Sequence, residues 1–137
     1  MSDFDATALK AWLEEQDVRL RPPATSGALD ELRSAFPGAV HPDVISLYEA
    51  FDGCDNYDFE VDSFFTIWPI ARGLEYVREH HLRQDFPFAD VDWSADVALC
   101  SLFHPEAPVK WHDGLLPAHP SFAAFFDTLK EGKLWSR

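Results

Sequence analysis

Residues 49–70 read EAFDGCDNYDFEVDSFFTIWPI, and the hydrophobic period changes within them. Up to Phe51 the apolar positions are helical, with Val44, Tyr48 and Phe51 on one face beside Ile45 and Leu47. From Tyr57 the chain alternates instead: Tyr57, Phe59 and Val61 interleave with Asp58, Glu60 and Asp62, the two-residue period of a strand with one wet face. Between the two patterns stands Gly53, which suits the left-handed position that ends a helix. FFTIW then reads as a more buried strand, closed by Pro69, so the stretch predicts a helix followed by a hairpin.

The flanks extend this alternation of helix and hairpin. Phe4, Ala8 and Trp12, widened by Leu9 and Leu13, predict a first helix over about 4–16, with Ser2 and Asp5 as a capping box. RLRPPATSG breaks it. A second helix over about 27–36 turns Leu29, Leu32 and Phe36 inward and places Asp30 and Glu31 in its first turn. FPGAVHP is a turn, after which Pro42 opens the third helix with His41 as its cap. A fourth helix over about 71–83 carries Leu74, Val77 and His81 in line with Ile70, which makes His81 a residue of the core edge. QDFPFADVDWSAD has no period and reads as an ordered loop. ALCSLF and PVKW form a second hairpin around HPEAP, with Phe103 opposite Val109. Ser121 to Lys130 closes the chain as a helix with Gly132 beyond it. Strands grouped in hairpins predict an α+β fold, a mostly antiparallel sheet of about four to six strands packed against helices on one side, in one domain spanning 1–137.

The chain carries a formal net charge of −13 and a composition that is 47% hydrophobic and 15% aromatic. It is a packed globular protein whose charge repels nucleic acid and anionic membrane. The start MSDFDATALK has no basic n-region and no apolar h-region, no run reaches membrane-span length, and Cys54 and Cys100 lack CxxC spacing; together these predict a cytoplasmic protein with reduced thiols. The acids are unevenly spread. Asp43, Glu49, Asp52, Asp55, Asp58, Glu60 and Asp62 fall between Arg33 and Arg72 with no base among them, and Asp85, Asp90, Asp92, Asp96 and Glu106 do the same between Arg83 and Lys110.

Such carboxylates suggest calcium, acid catalysis or a basic partner. An EF-hand loop counted from Asp52 fails, with Cys54 at its third position, Tyr57 at the invariant glycine and Ser63 at the twelfth. A catalytic pair needs one acid in an apolar pocket, whereas alternation puts Asp58, Glu60 and Asp62 together in water. A solvated strand face that blocks edge pairing is the plain alternative to a recognition surface. His80 and His81 point about 100° apart on a helix and do not share a metal; no phosphate, dinucleotide or nucleophile-elbow motif occurs. Trp12, Trp68 and Trp111 sit on apolar faces. Trp93, flanked by acids, is either a packed anchor or an exposed interface residue.

Leu29 to Gly53, LDELRSAFPGAVHPDVISLYEAFDG, resembles the entry motif of the SUKH superfamily: an amphipathic helix, a turn (here Val40-His41-Pro42-Asp43), a second helix and a stop (here Asp52-Gly53). FFTIWPI, APVKW and PSFAAFFDTL resemble the strands and closing helix that follow, so the likeness covers most of 27–130. The resemblance implies an α+β domain without a common catalytic centre, and so neither a cofactor nor an enzyme. Many bacterial members are immunity proteins that neutralise a toxin, often a nuclease, and a fungal branch regulates cell-wall assembly. The expectation is therefore a binding protein that meets a basic toxin through Asp52, Asp55, Tyr57, Asp58, Glu60, Asp62, Asp90, Asp92 and Trp93. A regulatory scaffold is the alternative, and a small hydrolase ranks below both.

Overall fold

The computed structural model describes residues 4–38, 40–54, 65–91, 96–114 and 116–132. Helices α1 (Ala6–Glu15), α2 (Ser26–Ala35) and α3 (Pro42–Ala50) precede strand β1 (Phe65–Ile67), helix α4 (Ile70–His80), strands β2 (Asp85–Val91), β3 (Asp96–Ser101) and β4 (Val109–Trp111), and helix α5 (Phe122–Lys130). The strands form one antiparallel sheet in the order β1-β2-β3-β4, so the fold is α+β as expected.

Local chemistry sets the helix ends. Asp5 caps α1, its carboxylate accepting from Ala8 N at 3.0 Å, and the helix starts later than the apolar stripe suggests; Ser2 lies outside the described residues. Thr25 caps α2, which moves Asp30 and Glu31 beyond the first turn, and Asp30 instead lies 3.7 Å from Arg33 one turn on. Pro42 opens α3 as its first residue, with His41 as cap: Nδ1 accepts from Asp43 N at 3.1 Å. His41 Nε2 lies 2.9 Å from the Pro105 carbonyl, which can only accept, so the imidazole carries its proton on Nε2. His81 closes α4 in the left-handed region at φ 56° and is exposed, not at the core edge.

The expected loop QDFPFADVDWSAD contains a central strand. Pro87 and the scattered acids hide β2 from pattern reading. The pairing runs Phe86↔Cys100, Pro87↔Leu99, then Ala89↔Ala98, leaving Phe88 as the extra residue of a bulge. This changes the parity of β2. Phe86, Phe88 and Ala89 all join the principal core, and Asp90, opposite Val97, goes to the other face. Strict alternation from Phe86 and Phe88 would have carried Asp90 into that core. The β3–β4 register also differs from expectation, since Val109 pairs with Cys100 and not with Phe103. Beyond that pair Ser101 N donates to Pro108 O, while Leu102, 1% exposed, donates its N–H to Gln84 O and stays alongside β2. The strand expected over 57–62 lies outside the described residues.

The principal core is aromatic. Phe88 packs within 5.1 Å of the rings of both Phe122 and Phe125, and Phe86 meets Tyr48 and Phe36 edge to face. The sheet is covered on both faces rather than one: Trp68, Val97 and Leu99 form a second cluster with Tyr76 and Leu82. Trp111 is buried, and Trp12 is half-buried against the principal core. Gly73 lets α4 approach β2, as a Cβ there would stand 2.4 Å from Phe86 Cζ and 2.8 Å from the Pro87 carbonyl oxygen. Cys54 and Cys100 are buried free thiols; burial pushes Cys54 up to about 11 and Cys100 well above its ordinary range, so neither is a thiolate at neutral pH.

Gly53 has φ +81°, and a Cβ there would lie 2.6 Å from Pro69 N and 2.7 Å from Trp68 C, both backbone atoms that cannot move aside. Gly53→Ala is therefore expected to lower unfolding free energy by more than about 2 kcal/mol in urea titration. His119, whose backbone pairs with Val109 in both directions and whose ring meets Phe125 edge to face, has its pKa lowered by burial. The unfolded chain then takes up the proton first as pH falls, so stability is lost below about pH 6.5, the ordinary imidazole value. Urea midpoints of His119→Gln should decline less steeply between pH 7 and 5 than those of the parent.

Candidate binding surface

The described acids of the two tracts are mostly committed to the fold. Asp52 Oδ1 accepts from Ile70 N at 2.9 Å and so caps α4, whose preceding Pro69 offers no side-chain cap. Asp90, 7% exposed, lies 3.2 Å from Arg72 Nη2, and that guanidinium sits 4.2 Å over the Trp68 ring. Asp85 meets Lys110 at 3.2 Å across β3. Asp96, fully buried, accepts from Val97 N and Asp113 N at 2.9 Å each and fixes the turn after β4. Asp43 is buried in the first turn of α3, where the helix dipole favours a carboxylate. Of the residues singled out for partner binding, Asp52 and Asp90 thus face their own chain. Asp55, Tyr57, Asp58, Glu60, Asp62, Asp92 and Trp93 lie outside the described residues. Both contacts fall on the first turn of α4, where Ile70 N meets Asp52 and the Arg72 guanidinium meets Asp90.

A different cluster comes together on that far face. Tyr76 and His80, one turn apart on α4, stack with ring centroids 4.0 Å apart. His112, just past β4, meets both edge to face, at 5.6 Å from Tyr76 and 5.2 Å from His80, and its Nδ1 is hydrogen-bonded to the Tyr76 hydroxyl. Trp68 continues the strip, 5.5 Å from Tyr76. His80 and His112 are exposed and Tyr76 half-buried. Burial raises the Tyr76 pKa, and the charges of Asp113, Asp96 and Glu79 raise it further, so the ring stays a neutral phenol in a negative field. Sequence spacing carried half of this signal, the Tyr76–His80 step of one helical turn. Nothing local could have announced His112, which arrives through the β3–β4 pairing.

Among the described residues no group of three His, Cys, Asp or Glu side chains is arranged to hold a metal ion. A surface depression of about 610 Å³ between the start of α1 and the end of α3 brings Asp5 and Glu49 to one rim, with Asp5 already bound to Ala8 N. No described helix is long and apolar enough to cross a membrane. Neither the protein-family models nor the curated proteins searched with this sequence give a match.

Capping and charge at Asp52 are separable. Asp52→Ala should cost about 1 kcal/mol with an unchanged urea m-value, while Asp52→Asn, which keeps an accepting oxygen, should retain most of that stability. Equal losses in the two variants would assign the effect to charge and not to the cap.

Proposed function

We propose that this chain is a non-catalytic binding protein, an immunity protein of SUKH type that acts in the cytoplasm and neutralises a basic, toxic partner by direct contact. The observation that carries this reading is the net charge of −13 on a small α+β domain, with its acids gathered in two tracts. A surface of one sign raises the encounter rate with a protein of the opposite sign and disfavours anionic polymers. The resemblance supplies the class of partner. Two features the reading draws on are the start of α3 at Pro42 and the Asp52-Gly53 stop, which follows that helix and seats the start of α4.

Asp55, Asp58, Glu60 and Asp62 are the members of the first tract to change, since Asp52 also supports the fold. With the protein product of the adjacent gene as partner, the combined Asp55→Asn, Asp58→Asn, Glu60→Gln and Asp62→Asn variant should associate about tenfold more slowly at low salt, with a shallower dependence of rate on ionic strength. Stopped-flow association across a salt series measures both. Rates that match the parent at every salt would remove this tract from the interface, and an adjacent product that does not bind the parent would remove the immunity reading itself.

A further inference from the structure

The strip of rings on the far face of the sheet is occupied at one end and open at the other. At the occupied end the Arg72 guanidinium lies 4.2 Å over the indole of Trp68 and 3.2 Å from a carboxylate oxygen of Asp90, a planar cation held between a ring face and an acid. At the open end stand the Tyr76–His80 stack and the edge-on His112, with the charges of Asp113 and Glu79 acting on Tyr76. His80, His112, Glu79 and Asp113 are all exposed, and among the described residues no Lys or Arg nitrogen lies within 4 Å of the Glu79 or Asp113 carboxylates. Arg72 and Lys110 are engaged by Asp90 and Asp85. The open end thus has the same two components that hold Arg72, aromatic surface and carboxylate, and among the described residues no Lys or Arg is paired with its acids.

We propose that Tyr76, His80 and His112, flanked by Glu79 and Asp113, form the seat for an arginine side chain of a basic protein partner. This rests on the binding-protein reading and names the part of the surface that grips after the acidic field has attracted. Arginine fits better than lysine because a planar guanidinium stacks on the rings while its N–H groups reach the flanking carboxylates, whereas an ammonium stays strongly hydrated. The hydrogen bond from Tyr76 to His112 ties α4 to the end of β4, so the seat is held by two elements and needs little ordering on binding.

The test uses the full chain and short peptides rich in arginine or in lysine, matched in length and charge, with aromatic and backbone NMR shifts as the readout. The arginine peptide should give saturable shifts centred on Tyr76, His80 and His112 and bind several-fold more tightly than the lysine peptide. Glu79→Gln with Asp113→Asn should weaken the arginine peptide about tenfold while leaving the melting temperature unchanged. His80→Ala, which removes one ring of the stack and no acid, should narrow the difference between the two peptides. Shifts centred elsewhere, or an arginine-peptide affinity unchanged in the double variant, would overturn the proposal. The adjacent-gene product is a separate arm. Its failure to bind the parent would sink the immunity reading whatever the peptides do, and its binding unchanged by Glu79→Gln with Asp113→Asn would sink the seat while sparing that reading.

Discussion

The structure depends on one close crossing, where residues 52–54 pass against residues 67–70. Cys54 N donates to Ile67 O at 2.9 Å, Ile70 N donates to the Asp52 carboxylate at 2.9 Å, and Tyr48 from α3 donates its hydroxyl to Trp68 O at 2.9 Å. On the outer side Asp52 N and Arg21 N are tied to Pro22 O and Gly53 O, and Leu20 bridges Cys54. Three separate segments are thus joined within a few residues, and backbone comes so near to backbone that only a residue without Cβ fits at 53. The helical half of the molecule is fastened to the sheet here. The direction of α4 follows from it, and with that direction the positions of Tyr76 and His80.

The second constraint is the bulge in β2. One extra residue, Phe88, lets two phenylalanines and an alanine feed the aromatic core and then reverses the parity, so that Asp90 emerges beside Arg72 and Trp68. A carboxylate in the principal core would have met only apolar neighbours, at a cost of several kcal/mol for an uncompensated buried charge. On the other face it holds a cation against an indole. The bulge and the ring strip are therefore linked, because the same parity change that fills the core also furnishes the occupied end of the strip.

The helices were legible in the sequence because each has an apolar stripe at 3.6-residue spacing, and α1, α2 and α5 add a capping oxygen at the residue before the helix. α3 is the clearest case, with His41 and Pro42 in the expected places. β2 was not legible, since Pro87 and two acids, Asp85 and Asp90, read as loop and the compensations, a bulge for Pro87 and Arg72 for Asp90, come from contacts distant in sequence. The local charge balance of the second tract was hidden for the same reason. Counted along the chain, Asp85 and Asp90 lack bases, yet Lys110 and Arg72 reach them across the sheet and from α4. The ring cluster was half visible, as a Tyr–His step on one helix, and its third member depended on a strand register that spacing alone does not fix.

A carboxylate committed to the fold does not thereby lose its place in the field that a partner meets. What matters is the charge of its neighbour. Asp90 and Asp85 are offset by a guanidinium and an ammonium, and beyond roughly 8 Å, the Debye length at physiological salt, such pairs contribute little. Asp5 and Asp52 are different, because the backbone N–H groups they accept from supply only partial positive charge and do not offset a carboxylate. Helix-capping carboxylates thus serve twice, fixing local geometry at short range and adding to a negative potential at long range. In this way a chain of −13 can spend many of its acids on architecture and still present an attractive surface to a basic protein. Attraction of that kind is diffuse, and a particular pose requires a shaped contact, the part proposed above for the Tyr76–His80–His112 strip.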